Sequence, residues 1–134
     1  MTLVDTNVLL DLVTNNAAWA EWSQSQLEAA AVRGPILIND VVYAELSVGF
    51  QRMEEVDAVL TSGRIDLIAM PREALFLAGK VFQQYRASGG VRSGVLPDFF
   101  IGAHAAVANM PLLTRDVRRY RTYFPTLTTL APAG

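Results

Sequence analysis

Short apolar runs alternating with helical stretches predict an α/β fold, with a mainly parallel sheet covered on both faces. The runs Thr2–Asp5, Ile36–Ile38, Ile65–Ile68 and Leu112–Thr114 are brief and mostly apolar, as buried strands are. Longer segments between them carry helix start and stop signals. The chain has 134 residues, 51% of them hydrophobic, enough for one domain over residues 1–134 with a substantial core.

The elements follow in order. Asp5 ends the first strand, and helices are expected over Thr6–Thr14 and Ala17–Val32, broken near Asn15-Asn16. Gly34-Pro35 makes a turn into the second strand. Asn39 or Asp40 caps a helix over Val41–Val48, which Gly49 closes. Met53–Leu60 is helical, Ser62-Gly63 turns, and Ile65–Ile68 is the third strand. Pro71 opens a long helix from Arg72 to about Arg86. Residues 88–94, rich in glycine and serine, form a flexible loop. Pro97 starts a helix that runs to about Asn109, and Pro111 precedes the strand Leu112–Thr114. A short helix follows Asp116, and Thr126–Leu130 is an edge strand.

Composition narrows the function classes. With no cysteine, the chain has no disulfide framework and no thiolate metal site, which fits a reducing cytosol. No apolar run is long enough to cross a bilayer, and no basic stretch precedes the first apolar residues, so neither a membrane span nor a signal peptide is expected. The net charge of −2 does not mark a nucleic-acid binder, but ten of the eleven cationic residues are arginine, which can grip phosphate or carboxylate with two bonds. Lys80 is the exception.

Four acids interrupt or follow apolar runs: Asp5, Glu45, Asp98 and Asp116. A buried charge is costly unless it is paired or coordinates a metal. Asp5 and Asp116 fall at the carboxyl ends of strands, where open α/β sheets place their sites. Glu45 and Asp98 fall on helices able to reach them. Each has a simpler reading as well. Asp5 also reads as a helix cap, although Thr6 or Asn7 would serve equally. Asp98 follows Pro97 in a first helical turn, where acids favour the helix dipole. Asp116 lies two residues after Thr114, a candidate cap. Glu45 shares its helical face with Val41, Val42, Val48 and Gly49, so it projects from an apolar stripe and is not a capping-box acid. Asp11, Glu21, Glu28, Glu54, Glu55, Asp57, Asp66 and Glu73 lie mostly in polar stretches and read as solvated. His104 is the only histidine; six residues from Asp98, it falls off that acid's face and reads as a packing or surface residue.

Four clustered carboxylates suit magnesium or manganese, which take oxygen ligands. Two carboxylates ~4 Å apart repel by roughly 4 kcal/mol at an effective dielectric of 20, so the cluster needs cations or raised pKa values. One or two such ions could support hydrolysis of a phosphodiester without a protein nucleophile. Arg115, Arg118, Arg119, Tyr120, Arg121 and Tyr123 form a basic, aromatic segment beside the fourth acid. Its arginines could hold phosphates and its tyrosines could stack on unpaired bases, although an ordinary solvated helix face has the same composition. Arg92, in the glycine-rich loop, is a second candidate for backbone contact.

These motifs resemble those of PIN domains, and specifically of bacterial VapC-type toxins. The stretch Val4-Asp5-Thr6-Asn7-Val8-Leu9-Leu10-Asp11 resembles the family's opening motif. Ala44-Glu45-Leu46 with Gly49 resembles the second acidic motif, and Leu96-Pro97-Asp98-Phe99-Phe100-Ile101-Gly102-Ala103 the third. Leu113-Thr114-Arg115-Asp116 followed by Tyr120 resembles the fourth. The four acids stand in the family's order, 40, 53 and 18 residues apart. The resemblance implies a three-layer α/β/α sandwich. It further implies a Mg2+- or Mn2+-dependent endoribonuclease, the toxin of a type II toxin–antitoxin pair in the bacterial cytoplasm. Asp5, Glu45, Asp98 and Asp116 would be its catalytic, metal-binding acids, with Thr114 and Asn7 in support. Arg115, Arg92 and Arg118 are then the candidate RNA contacts. The expected partners are RNA, a VapB-type antitoxin and a second copy in a homodimer. Trp19 and Trp22, three apart, either line a groove for the antitoxin tail or pack in the core. Phe99-Phe100 and His104 depart from the small or aliphatic residues more usual in the third motif, and bear on site width and packing. Two other acid-strand families fit less well. A haloacid-dehalogenase-type phosphatase requires an acid where Asn7 stands, and a receiver domain requires a lysine that Lys80 is not placed to supply. The alternative within the fold is a catalytically silent module that binds RNA or a partner.

Overall fold

The computed structural model describes residues 1–92 and 94–133; Ser93, within the expected glycine-rich loop, lies outside the described residues. The elements are β1 (Thr2–Val4), α1 (Thr6–Val13), α2 (Ala20–Arg33), β2 (Ile36–Ile38), α3 (Asp40–Ser47) and α4 (Met53–Ser62). There follow β3 (Ile65–Leu67), α5 (Arg72–Ala87), α6 (Leu96–Val107), β4 (Leu112–Leu113), α7 (Arg118–Tyr123) and β5 (Thr129–Leu130). The five strands pair in the order β3-β2-β1-β4-β5, and every pairing is parallel. The expected α/β fold is therefore present, a sheet between helical layers.

Burial explains the strand order. β1, β2 and β4 are buried throughout and occupy the middle of the sheet. β3 exposes Asp66 and Leu67, and β5 is only half-buried; both are edges. The chain winds outward from β1 through β2 to β3, then crosses back to place β4 on the other side of β1. The crevice between the carboxyl ends of β1 and β4 is therefore the point where the winding reverses, the usual place for a site in an open parallel sheet. Asp5 follows β1 there, its N–H still bonded to the Leu113 carbonyl at 2.9 Å, and Thr114 follows β4.

Local chemistry corrects several boundaries. α2 starts at Ala20, because the Asn16 carboxamide oxygen accepts from the N–H groups of Ala18 (2.9 Å) and Trp19 (3.1 Å) and holds them in a turn. Trp19 thus precedes the helix, and it meets Trp22 edge to face at 5.9 Å. Asn39, rather than Asp40, caps α3: its side chain accepts from the Val42 N–H at 3.0 Å. α6 begins at Leu96 and closes near Asn109, whose φ of 54° is left-handed.

α5, α6 and α7 meet around an aromatic group of Phe82, Tyr85, Phe99 and Tyr123, with Phe99 and Tyr123 ring centroids 5.1 Å apart. Phe99 is wholly buried there, which accounts for one of the unusual residues of the third motif. Gly102 is a close-approach position: a Cβ would lie 2.5 Å from the Phe124 ring and 3.1 Å from that of Tyr120. The missing side chain lets α7 settle onto α6 beside the crevice. Among the described residues, no helix is long and apolar enough to cross a membrane.

Candidate active site

Three of the four singled-out acids share a cleft at the β1/β4 crevice. Asp5, Asp98 and Asp116 line it with Asn7, Tyr120 and the arginines Arg92, Arg118 and Arg119, around a volume of about 330 Å3. Asp5 comes from the end of β1, Asp98 from the first turn of α6, and Asp116 from the loop between β4 and α7. Glu45 stands apart from this lining. It is half-buried on α3, where the Thr6 hydroxyl donates to its Oε1 at 2.6 Å, and it lines a neighbouring apolar groove with Val41, Pro97 and Phe100. Its apolar stripe is less buried than expected: Val42 is covered, but Val48 is exposed.

Asp5 is the most constrained acid. It is 5% exposed, and its Oδ2 accepts from the hydroxyls of Thr114 and Tyr120, each at 2.8 Å. The Asn7 side-chain amide donates to the same oxygen at a longer 3.5 Å, and to Thr114 Oγ1 at 3.4 Å. Among the described residues no arginine or lysine pairs with Asp5. Burial raises its pKa to about 6, and repulsion from Asp98 adds to the rise, although the Thr114 and Tyr120 hydrogen bonds oppose it.

The outer acids are balanced by neighbours. Arg119 donates to Asp98 Oδ2, yet burial still raises the Asp98 pKa, with repulsion from Asp116 contributing. Arg118 forks onto Asp116 at 3.2 and 3.1 Å and lowers its pKa. That second pair is solvent-exposed, so it adds little stability and is readily exchanged.

Arg115 does not face the cleft as an RNA contact would. Its guanidinium forks onto Asp11 at 2.9 and 3.0 Å and lies 5.3 Å from the Trp19 ring. Asp11 is therefore not solvated as expected but 1% exposed, in keeping with its apolar neighbours Leu9, Leu10, Leu12 and Val13, and the Ser23 hydroxyl also donates to it at 2.9 Å. Arg92 and Arg118 are exposed and do line the cleft, joined by Arg119. Tyr120 is no stacking platform: it is 2% exposed, its hydroxyl turned to Asp5 and its pKa driven well above the usual phenol value by burial. Tyr123 belongs to the aromatic group between helices. His104 is buried, as a packing residue would be, with Nδ1 3.1 Å from the Asn39 amide nitrogen. Neither it nor Phe99 nor Phe100 lines the acid cleft.

Sequence signals exist for Asp11 and Tyr120, whose settings differ from those expected. Asn7 and Asp11 lie one turn apart on α1, so both face the β4–α7 loop. Tyr120 lies four residues beyond Asp116, close enough on α7 to return to the crevice.

The donor chemistry fits a hard divalent cation. Asp5 is a buried carboxylate with no cationic partner among the described residues, and two more carboxylates share its cleft. Among the described residues, no three acid or histidine side chains are drawn together as a ligand set. Arg119, Arg118 and Thr6 each hold one of the other acids toward themselves.

The fold is shared with solved toxin–antitoxin proteins. Over 98% of its length the chain matches 98% of a chain of VapBC2 from Rickettsia felis, a structure bound to a DNA fragment from their promoter, with a TM-score of 0.75 and 21% identity. It matches VapBC-1 from nontypeable Haemophilus influenzae with a TM-score of 0.70 and 21% identity, covering 97% of this chain and 96% of that one. A toxin–antitoxin complex from Klebsiella pneumoniae gives a TM-score of 0.68 at 22% identity, covering 96% and 97%. No curated protein sequence matches the chain. The profile of the PIN domain matches residues 2–125, nearly the whole chain, and the protein belongs to the PIN domain family.

Proposed function

We propose that this protein is a VapC-type toxin: a divalent-metal-dependent endoribonuclease paired with a VapB-type antitoxin in the bacterial cytoplasm. The observation that carries the reading is Asp5, a buried carboxylate without a cationic partner among the described residues, sharing a cleft with Asp98, Asp116 and three arginines. Asp5, Asp98 and Asp116 would hold Mg2+ or Mn2+, with Glu45 turning from Thr6 to complete the acidic set. When bound, the ion supplies positive charge to the carboxylates and Lewis acidity for attack of water at phosphorus.

The chain's own residues do the rest. Thr114 and Tyr120 fix the Asp5 carboxylate by two hydroxyl donors. Asn7 adds its amide from α1. Arg92 and Arg118 would hold the RNA backbone at the mouth of the cleft, and Arg119 can exchange Asp98 for phosphate, both being oxyanions that suit the guanidinium fork. For the antitoxin, the apolar groove of about 640 Å3 between α1, α2 and α4, lined by Leu9, Leu12, Leu27 and Val59, suits an apolar helix face. Neither tryptophan lines it. The groove beside Glu45 and Phe100 is a candidate contact for a second copy in a homodimer.

The test is cleavage of structured and unstructured RNA with Mn2+, Mg2+ or EDTA. The expected result is metal-dependent cleavage, abolished by EDTA and by Asp5→Asn. Cleavage that survives both overturns the metal-nuclease reading. RNA binding without cleavage in either metal would instead identify a silent binding module.

A further inference from the structure

We infer that Asp11 and Arg115 are positioning residues: a part-buried clamp that sets the orientation of Asn7 against Asp5 and holds the loop carrying Asp116. The inference rests on the reading of the cleft as a metal-dependent nuclease site.

Asp11 lies on α1, one turn beyond Asn7, and is 1% exposed. Arg115 lies between Thr114 and Asp116, in the loop that leaves β4. Nε and Nη2 of Arg115 reach the two Asp11 oxygens at 2.9 and 3.0 Å, a fork that fixes direction as well as distance. Ser23, from α2, donates to the same carboxylate, and the Trp19 ring lies 5.3 Å from the guanidinium. One arginine thus ties α1, the start of α2 and the β4–α7 loop together.

The consequence for the cleft runs through the backbone. The Arg115 N–H donates to Asn7 Oδ1 at 3.2 Å. That bond requires the Asn7 carboxamide to present its oxygen to the loop and its nitrogen to Asp5 Oδ2 and Thr114 Oγ1. The reversed amide would set an NH2 group against the Arg115 N–H and an oxygen against the Asp5 carboxylate, two repulsive contacts. The clamp therefore selects the amide orientation that turns the Asn7 donor toward Asp5 and Thr114. An ion pair with one partner buried is often no more stabilising than apolar residues of the same volume, so this pair is better explained by the geometry it imposes.

A merely structural clamp would change stability and leave Asn7 alone, so the test reads Asn7. The 1H–15N signals of its side-chain amide, identified by their loss in Asn7→Asp, are followed in metal-free wild type, Arg115→Ala, Arg115→Lys and Asp11→Asn. Mn2+ is then titrated into each folded protein, with the exposed Arg121→Ala as a control for lost charge. The expected result is a displaced Asn7 amide in all three clamp variants and Mn2+ affinity roughly tenfold or more weaker, the range for a residue that orients a metal ligand. Arg121→Ala should change neither. Adding Arg115→Ala to Asn7→Ala should cost no further affinity. An unmoved Asn7 amide in a folded clamp variant overturns the inference, as does a loss of affinity that multiplies independently with Asn7→Ala. If Arg115→Ala fails to fold, Arg115→Lys, which keeps the charge but not the fork, carries the same readout. If wild type binds no Mn2+, the metal reading fails and the Asn7 amide alone decides the inference.

Discussion

Tyr120 donates a 2.8 Å hydrogen bond from a buried phenol to Oδ2 of Asp5, joining α7 to the end of β1 across 115 residues of sequence. Thr114 donates to the same oxygen at the same distance. A carboxylate held this way loses much of its support if either donor goes. Tyr120→Phe should destabilise the metal-free protein at pH 8 by about 1.5–3 kcal/mol, the range for a bond to a charged group. Below pH 5, Asp5 is protonated in the fold, and the cost should drop to that of a neutral bond, about 1 kcal/mol. Urea unfolding at the two pH values checks this; an equal cost at both would mean that Tyr120 serves packing alone.

Asp5 itself should oppose folding at neutral pH. Its folded pKa of about 6 exceeds the ordinary 3.8, so between those values the folded state binds more protons than the unfolded state. Stability contributed by this group therefore falls as pH rises from about 4 to 6, and stays reduced above. Asp5→Asn in EDTA should be more stable than wild type at pH 8 by up to about 3 kcal/mol, with the difference closing near pH 4. Saturating Mn2+ should stabilise wild type and leave the variant unchanged. Thermal melts across pH 4–8 test both; a variant less stable than wild type at pH 8 in EDTA would show that the hydrogen bonds outweigh burial.

The sheet was legible because its buried strands are nearly pure apolar runs, and the polar residues Asp5 and Thr114 mark where two of them stop. The edges are shorter than expected, losing Ile68 from one and residues 126–128 from the other, because pattern alone does not reveal the ladder's length. The acids could be named from sequence because each breaks an apolar context. Their partners could not, since Arg115 pairs with Asp11 across 104 residues and Arg119 with Asp98 across 21. A basic run looks the same whether its arginines face solvent or carboxylates. Only the crossing of β4 beside β1 brings Arg115 to α1 and turns it from a candidate RNA contact into part of the scaffold.

Gly102 links packing to the site. A methyl group there would meet the Phe124 ring at 2.5 Å and crowd Tyr120 at 3.1 Å. Gly102→Ala should cost about 1–3 kcal/mol through overpacking, despite alanine's better helix propensity. The displaced α7 would also withdraw the Tyr120 hydroxyl from Asp5. Combining Gly102→Ala with Tyr120→Phe should therefore cost less than the two losses added, since contacting residues couple. Chemical denaturation of the four proteins in the cycle gives the coupling energy. Additive costs would mean that α7 absorbs the methyl group without moving Tyr120.

His104 gives a pH response of the opposite sign to Asp5. Its ring is buried, and Nδ1 faces the Asn39 amide nitrogen at 3.1 Å, so Nδ1 is the acceptor and the ring is neutral. Asn39 has no freedom to turn, because its other end caps α3 through the Val42 N–H. Burial lowers the His104 pKa below its ordinary 6.5, although Asp40 draws it back in part. The unfolded chain therefore takes up a proton first as pH falls, and the stability that neutral His104 contributes is lost below about 6.5. Because Asp5 gains stability over much of the same range, the wild-type profile mixes the two. The difference between wild type and His104→Gln separates them, since Asp5 is common to both. That difference should shift in favour of the glutamine variant between pH 7 and 5, as glutamine can still offer Asn39 an oxygen and takes up no proton. A difference independent of pH would mean that His104 charges in place without disturbing the cap of the helix that carries Glu45.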